Sequence, residues 1–243
     1  MIKEELEKVC PGVVSCADTI ALATRDGIVL VILTAPLLFT GRRDSLRSYF
    51  EEDLAEIPRP DGNLTTFALR EFSERETITL LGGHNIGKIG CEFIRGRLYN
   101  FSGTGQPDPL IAFDFLELMR RICPLNKSSD IDGSPAFMRS RGMSESTLGM
   151  GDYQQLSSSI SSGAGFDTHY YQSLLRGRGL LFSDKQLMAD DRTAMLVRSY
   201  SMGNGSTFRV DFARVMVKLS NLGALTGSEG QVRINCSRLA SNS

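Results

Sequence analysis

Along most of the chain apolar residues recur at helical rather than strand spacing. The clearest case runs from Thr207 to Leu219, where Phe208, Phe212, Val215, Met216 and Leu219 form one stripe and predict a helix. Leu110, Phe113, Leu116 and Met119 repeat in the same way and end near Cys123-Pro124. Cys91, Ile94 and Leu98 do so over a shorter span. Start signals agree with the periodicity. Ser73 and Glu76 form the S-x-x-E capping box of a helix that carries Ile78, Leu80 and Leu81 and stops at Gly82-Gly83. Asp167 can cap a helix bearing Tyr170 and Leu174, closed by Gly177 and Gly179. Asp190 or Asp191 can cap another that reaches Tyr200. The expected fold class is mainly α.

Other stretches read differently. Ser15 and Asp18 make a weak capping box before a short helix to about Arg25, closed by Gly27. Ile28 to Leu33 is rich in β-branched residues and reads as a strand or hairpin arm, and as an aggregation hazard if uncovered. Gly41-Arg42-Arg43-Asp44 reads as a polar break, and Pro58, Pro60 and Gly62 as an irregular connection. From about 126 to 165 the chain is rich in Ser, Gly and Met with little periodicity, a long internal loop.

Length and composition narrow the classes. With 243 residues, 41% hydrophobic and 23% charged, the chain can bury a substantial core. A net charge of −1 argues against nucleic acid and against anionic membrane surfaces. The longest apolar stretch, Ile28 to Phe39, contains Thr34 and Pro36 and is too short to span a bilayer. The opening MIKEELEK is charged and helix-forming, so no signal peptide is expected there. None of the five cysteines forms a C-x-x-C pair, which argues against a zinc site, and an odd count leaves one sulfur without an intramolecular partner.

The chain has only two histidines, so a histidine-rich metal site is excluded. His84 sits within Gly82-Gly83-His84-Asn85-Ile86-Gly87, where small neighbours permit close approach of a large flat ligand. On composition alone, a histidine satisfied at a helix C-terminus is the plainer reading. A haem-ligating histidine needs a partner on its other ring nitrogen, and a carboxylate there makes the imidazole more electron-donating. Composition does not choose among 28 carboxylates.

Six runs make that choice. They are CPGVVSCAD from Cys10, GRRDSL from Gly41, TLLGGHNIGKIGC from Thr79, RLYNFSGTGQPDP from Arg97, GLLFSDKQL from Gly179 and LTGSEGQVRINC from Leu225. In this order, over nearly the whole chain, they resemble class III plant secretory haem peroxidases. The resemblance implies a haem-peroxidase fold, incomplete at its N-terminus, as one partial domain over 1–243. It implies haem b, with His84 as the axial ligand of the iron and Asp184 as the carboxylate behind it; a helix N-cap is the plainer role for Asp184, and one residue can do both. Pro58 matches the proline near which aromatic donors bind. Hydrogen peroxide and small phenolic donors are the implied partners, with a secreted monomer as the expected form.

The resemblance also implies the disulfides Cys16–Cys236 and Cys91–Cys123, and an unpaired Cys10 whose usual partner has no counterpart here. It implies a calcium site at Asn85, Ser162, Gly165 and Asp167. Asn85 stands where the family usually has threonine, and Ser159 where it has aspartate. One carboxylate remains where two are expected, so calcium binding is expected to be weak or absent. The larger departure concerns peroxide cleavage, which in the family uses a distal histidine and arginine from an early helix. No such run occurs, so no catalytic residue is expected to be retained. The spare His169 reads as a solvated residue at a helix start. Three readings follow: a peroxidase of impaired activity, a non-catalytic haem-binding or interaction remnant, and a shortened form of a longer chain.

Overall fold

A computed structural model describes residues 2–32, 37–52, 65–125, 153–155 and 166–238. They are mostly helical and fall into two units, 1–58 with 209–243, and 59–208. Pro58, Ser159, Ser162 and Gly165 lie outside the described residues.

In the first unit, α1 (Ile2–Val9) forms from the charged opening run. α2 spans Cys16–Ile32, well beyond the predicted end at Arg25. Gly27 does not enter the left-handed conformation that would close the helix. A glycine inside a helix costs only about 1 kcal/mol, so the helix runs on and the expected strand from Ile28 does not form over the described positions. The N-terminus of α2 is capped from a distance: the Asp44 carboxylate accepts from the backbone N–H of Cys16 (3.0 Å), Ala17 (2.9 Å) and Arg233 (2.9 Å). The disulfide Cys16–Cys236 closes the same corner.

The polar run at Gly41 is therefore an anchor rather than a break. β1 (Arg42–Arg43) pairs antiparallel with Leu225–Thr226. Arg42, 8% exposed, bonds Asp18, Ser220 and Asn221 through its guanidinium. Ile20 and Ile28 of α2 line an apolar cavity of about 430 Å³ with Met216, Leu219 and Leu222.

In the second unit, α3 (Thr65–Ala68) precedes α4 (Glu74–Leu81). The capping box is present in full: Ser73 Oγ accepts from Glu76 N, and Glu76 accepts from Ser73 N. α4 passes into a 3-10 turn, Gly82–Asn85. β2 (Lys88–Gly90) pairs antiparallel with β3 (Tyr153–Gln155), so part of the expected long loop is strand. α5 (Arg95–Tyr99) and α6 (Phe113–Ile122) follow, and the disulfide Cys91–Cys123 joins the approach to α5 to the end of α6. On α6 the buried residues are Phe115, Leu116 and Met119. Leu110 and Phe113, expected on that stripe, are exposed, because the helix begins only at Phe113 and presents a face one position further round.

α7 (His169–Leu175), α8 (Phe182–Gln186) and α9 (Asp191–Ser201) complete this unit, with Asp190 capping α9 through Arg192 N. α10 spans Ser206–Ser220, and its Phe208 belongs to this unit. Tyr170, Tyr171, Tyr200 and Phe208 are almost fully buried and meet ring to ring, with centroids 5.1–5.9 Å apart. This aromatic core lies under the turn that carries His84. A Cβ on Gly82 would come within 2.4 Å of both Phe208 Cε2 and Tyr171 Oη. Gly82 thus makes room for the protein's own rings.

Candidate functional site

The capping box fixes where α4 begins, and the absence of a side chain at Gly82 lets its end settle against Tyr171 and Phe208. His84 follows on the 3-10 turn with its side chain 23% exposed. Its Nδ1 lies 2.9 Å from Asp184 Oδ1. Asp184 is completely buried.

Three donors surround that carboxylate. Oδ1 accepts from His84 Nδ1 and, at 2.8 Å, from the Tyr170 hydroxyl. Oδ2 accepts from Leu181 N at 2.8 Å, which starts α8. Asp184 therefore serves as both helix cap and histidine partner. A carboxylate only accepts, so Nδ1 carries a hydrogen, and in the neutral ring the lone pair then lies on Nε2. Among the described residues Nε2 makes no hydrogen bond. The Tyr170 ring stands edge-on to the imidazole, with centroids 5.9 Å apart at 85°. Burial, then the charge and hydrogen bond of Asp184, push the Tyr170 hydroxyl well above its ordinary pKa, so it stays a donor.

A second buried group, unmarked by composition or spacing, positions Asp184. Arg97 donates through Nη1 to Gly179 O (2.8 Å) and Leu181 O (2.7 Å), and also to Leu180 O. Its Nε reaches Asp108 Oδ2 at 3.0 Å, and Lys185 Nζ reaches Asp108 Oδ1 at 3.1 Å. Burial lowers the pKa of Arg97, opposed by the charges of Asp108 and Asp184. Burial alone would raise Asp108, but the Leu110 N–H, Lys185 and Arg97 together hold it below the usual carboxylate range. The loop 179–184 is thereby held at three successive carbonyls. Arg97 and Asp108 both lie in the run RLYNFSGTGQPDP, whose purpose in this fold is to fix the segment bearing Asp184.

His169 is not solvated. It is 9% exposed, with Nδ1 2.6 Å from Asp167 Oδ1 and Nε2 3.1 Å from the Asn85 carbonyl. Asp167 accepts from the His169 backbone N–H (2.8 Å) from just outside the helix, whose N-cap is Thr168 rather than the expected Asp167, and the ring turns inward. Asn85, buried, donates through Nδ2 to the Asp167 carbonyl. Cys10 is a free thiol whose Sγ faces the Leu6 carbonyl.

An imidazole with one nitrogen held by a buried carboxylate and the other unengaged fits the axial position of a haem iron. A family profile described as Peroxidase matches residues 1–203. Peroxidase 48 of Arabidopsis thaliana, a provisional assignment, is 40% identical over 255 residues, covering 98% of this chain and 62% of its own. Peroxidase 71 of the same plant is 38% identical over 239 residues, covering 97% and 65%. Peroxidase N1 of Nicotiana tabacum is 36% identical over 245 residues, covering 98% and 67%. The chain spans about two thirds of the length of the curated relatives it matches.

Proposed function

The chain belongs to the peroxidase family, and from that membership and the buried carboxylate on His84 Nδ1 we propose that it holds haem b through His84 Nε2 and serves the oxidation of small phenolic donors by hydrogen peroxide. Bound haem would supply the redox chemistry, and an imidazole backed by a carboxylate would make its iron more electron-rich. His84 would hold it through Nε2. Asp184 holds its tautomer and orientation, Tyr170 shares the carboxylate, and Arg97 fixes the loop on which Asp184 stands.

Proton transfer is the weak point of the chain as given. His84 is committed to Asp184, and both ring nitrogens of His169 already face oxygen acceptors. Neither histidine is left to shuttle a proton during peroxide cleavage. General acid–base help contributes about 10²–10⁴-fold to such a step, and neither of these two histidines is placed to give it. The same observation favours a second reading, a haem-binding remnant without turnover.

Two disulfides suit an oxidising compartment, so secretion is part of the proposal. Among the described residues no helix is long and apolar enough to cross a membrane. The donor contact at Pro58 and a monomeric state belong to the same reading.

The test is refolding with haem, followed by absorption spectra and a guaiacol assay. A Soret band that His84→Ala abolishes supports the haem-ligand role. Slow peroxide-dependent turnover on top of it supports the enzyme, and a Soret band without turnover supports the remnant. A band untouched by His84→Ala refutes both.

A further inference from the structure

The turn after α4 and the start of α7 are laced together at one point. The His169 ring reaches the Asp167 carboxylate with one nitrogen and the Asn85 carbonyl with the other. Asn85 Nδ2 crosses in the opposite direction to the Asp167 carbonyl. Asn85 is 4% exposed and His169 9%, so the contacts with Asn85 are shielded from water, while the Asp167 side chain is 39% exposed and its carboxylate stays within reach of solvent. They tie down the residue that directly follows His84.

Asn85 and Asp167 are also the two described positions of the calcium site implied by the resemblance to plant peroxidases. A calcium ion takes six to eight oxygens. Here the His169 imidazole lies between the Asp167 Oδ1 and the Asn85 carbonyl, so a cation bound to both oxygens would have to displace the ring. The Asn85 side chain turns its donor, not its acceptor, toward the Asp167 carbonyl, and a donor repels a cation. Asn85 Oδ1 is buried without a partner among the described residues, but it is one oxygen.

We propose that the His169 imidazole replaces calcium in this chain, as a built-in cross-link that joins the His84 turn to α7 without a metal. The inference rests on family membership and not on haem uptake, so protein without haem tests it. The purified chain is dialysed, its calcium content is measured, and its melting is followed in EDTA and in about 1 mM calcium, a level that loads weak extracellular sites. The wild type is expected to hold far less than one equivalent and to melt at the same temperature in both buffers. His169→Ala is expected to melt roughly 2–6 °C lower in both, from the loss of a hydrogen bond and of the packing of the inward-turned ring in a chain of this size. A full equivalent of calcium retained by the wild type overturns the proposal, as does a wild-type midpoint that rises with calcium. So does a His169→Ala variant that melts like the wild type. Should His169→Ala not fold at all, the two wild-type measurements still decide.

Discussion

His84 and Asp184 stand 100 positions apart in sequence and 2.9 Å apart in space. Two independent devices bring them together. One is the glycine-ended helix α4, which delivers the imidazole. The other is the buried guanidinium of Arg97, which holds the three carbonyls leading to Asp184.

Asp184→Asn tests the carboxylate. The amide can still accept from His84 with its oxygen, but its NH₂ then faces the Leu181 N–H, donor against donor. Charge-assisted hydrogen bonds contribute about 1.5–3 kcal/mol, and a loss of that order in denaturant stability is expected. In haem-loaded protein the ferrous iron–histidine stretch should move to lower frequency, because the imidazole loses its anionic partner. A stretch identical to the wild type's would remove Asp184 from the tuning role.

Tyr170→Phe isolates the second donor on the same oxygen. Removing the hydroxyl leaves Oδ1 to His84 alone, so the His84 bond should strengthen while the fold weakens. A drop of about 1–3 kcal/mol is expected in urea unfolding. The iron–histidine stretch should shift opposite to that of Asp184→Asn. A shift in the same direction would mean that Tyr170 acts by packing and not through the shared carboxylate.

The Arg97–Asp108 pair predicts an acid limb. Asp108 is held below the usual carboxylate range in the fold, and unfolded it titrates near 3.9, to order of magnitude. Between the two values the unfolded chain binds more protons than the native one. The stabilisation is therefore complete above about pH 4 and is lost as pH falls through the folded value. Asp108→Asn should cost about 3–5 kcal/mol at neutral pH, since it leaves Arg97 buried without its countercharge, and should flatten stability against pH below 4. Chemical denaturation from pH 3 to 7 measures both, and an unchanged acid limb would assign it to other carboxylates.

These two devices were not equally visible in the sequence. The Ser73–Glu76 box, the stop at Gly82-Gly83 and the Asp190 cap are local signals, and each lies where its residues place it. The His84–Asp184 pairing is non-local and became legible only through resemblance of whole motifs. Arg97 and Asp108 were visible only as members of the run RLYNFSGTGQPDP, and their pairing was not, because a buried ion pair and a surface one look alike in sequence. His169 was misread for a similar reason: nothing in Asp167-Thr168-His169 says which way the ring turns. The strand expected from Ile28 failed because β-branched preference is weak beside continuation of a helix already begun.

Gly82→Ala tests the packing beneath the site. An added Cβ would meet the Tyr171 hydroxyl and the Phe208 ring at 2.4 Å, distances that no relaxed contact tolerates. Tyr171 cannot simply withdraw, since its hydroxyl donates to the Ile78 carbonyl at 3.1 Å and its ring packs against Tyr170. Tyr170 in turn donates to Asp184. One methyl group therefore pushes on a chain of contacts that ends at the carboxylate behind His84. Overpacking of a full core costs about 1–3 kcal/mol, and a loss of that size is expected in thermal or denaturant unfolding. Haem affinity, read by Soret titration, should fall along with stability. A variant as stable as the wild type would show that the turn has slack, and the rigid hold on His84 argued here would have to come from Asp184 alone.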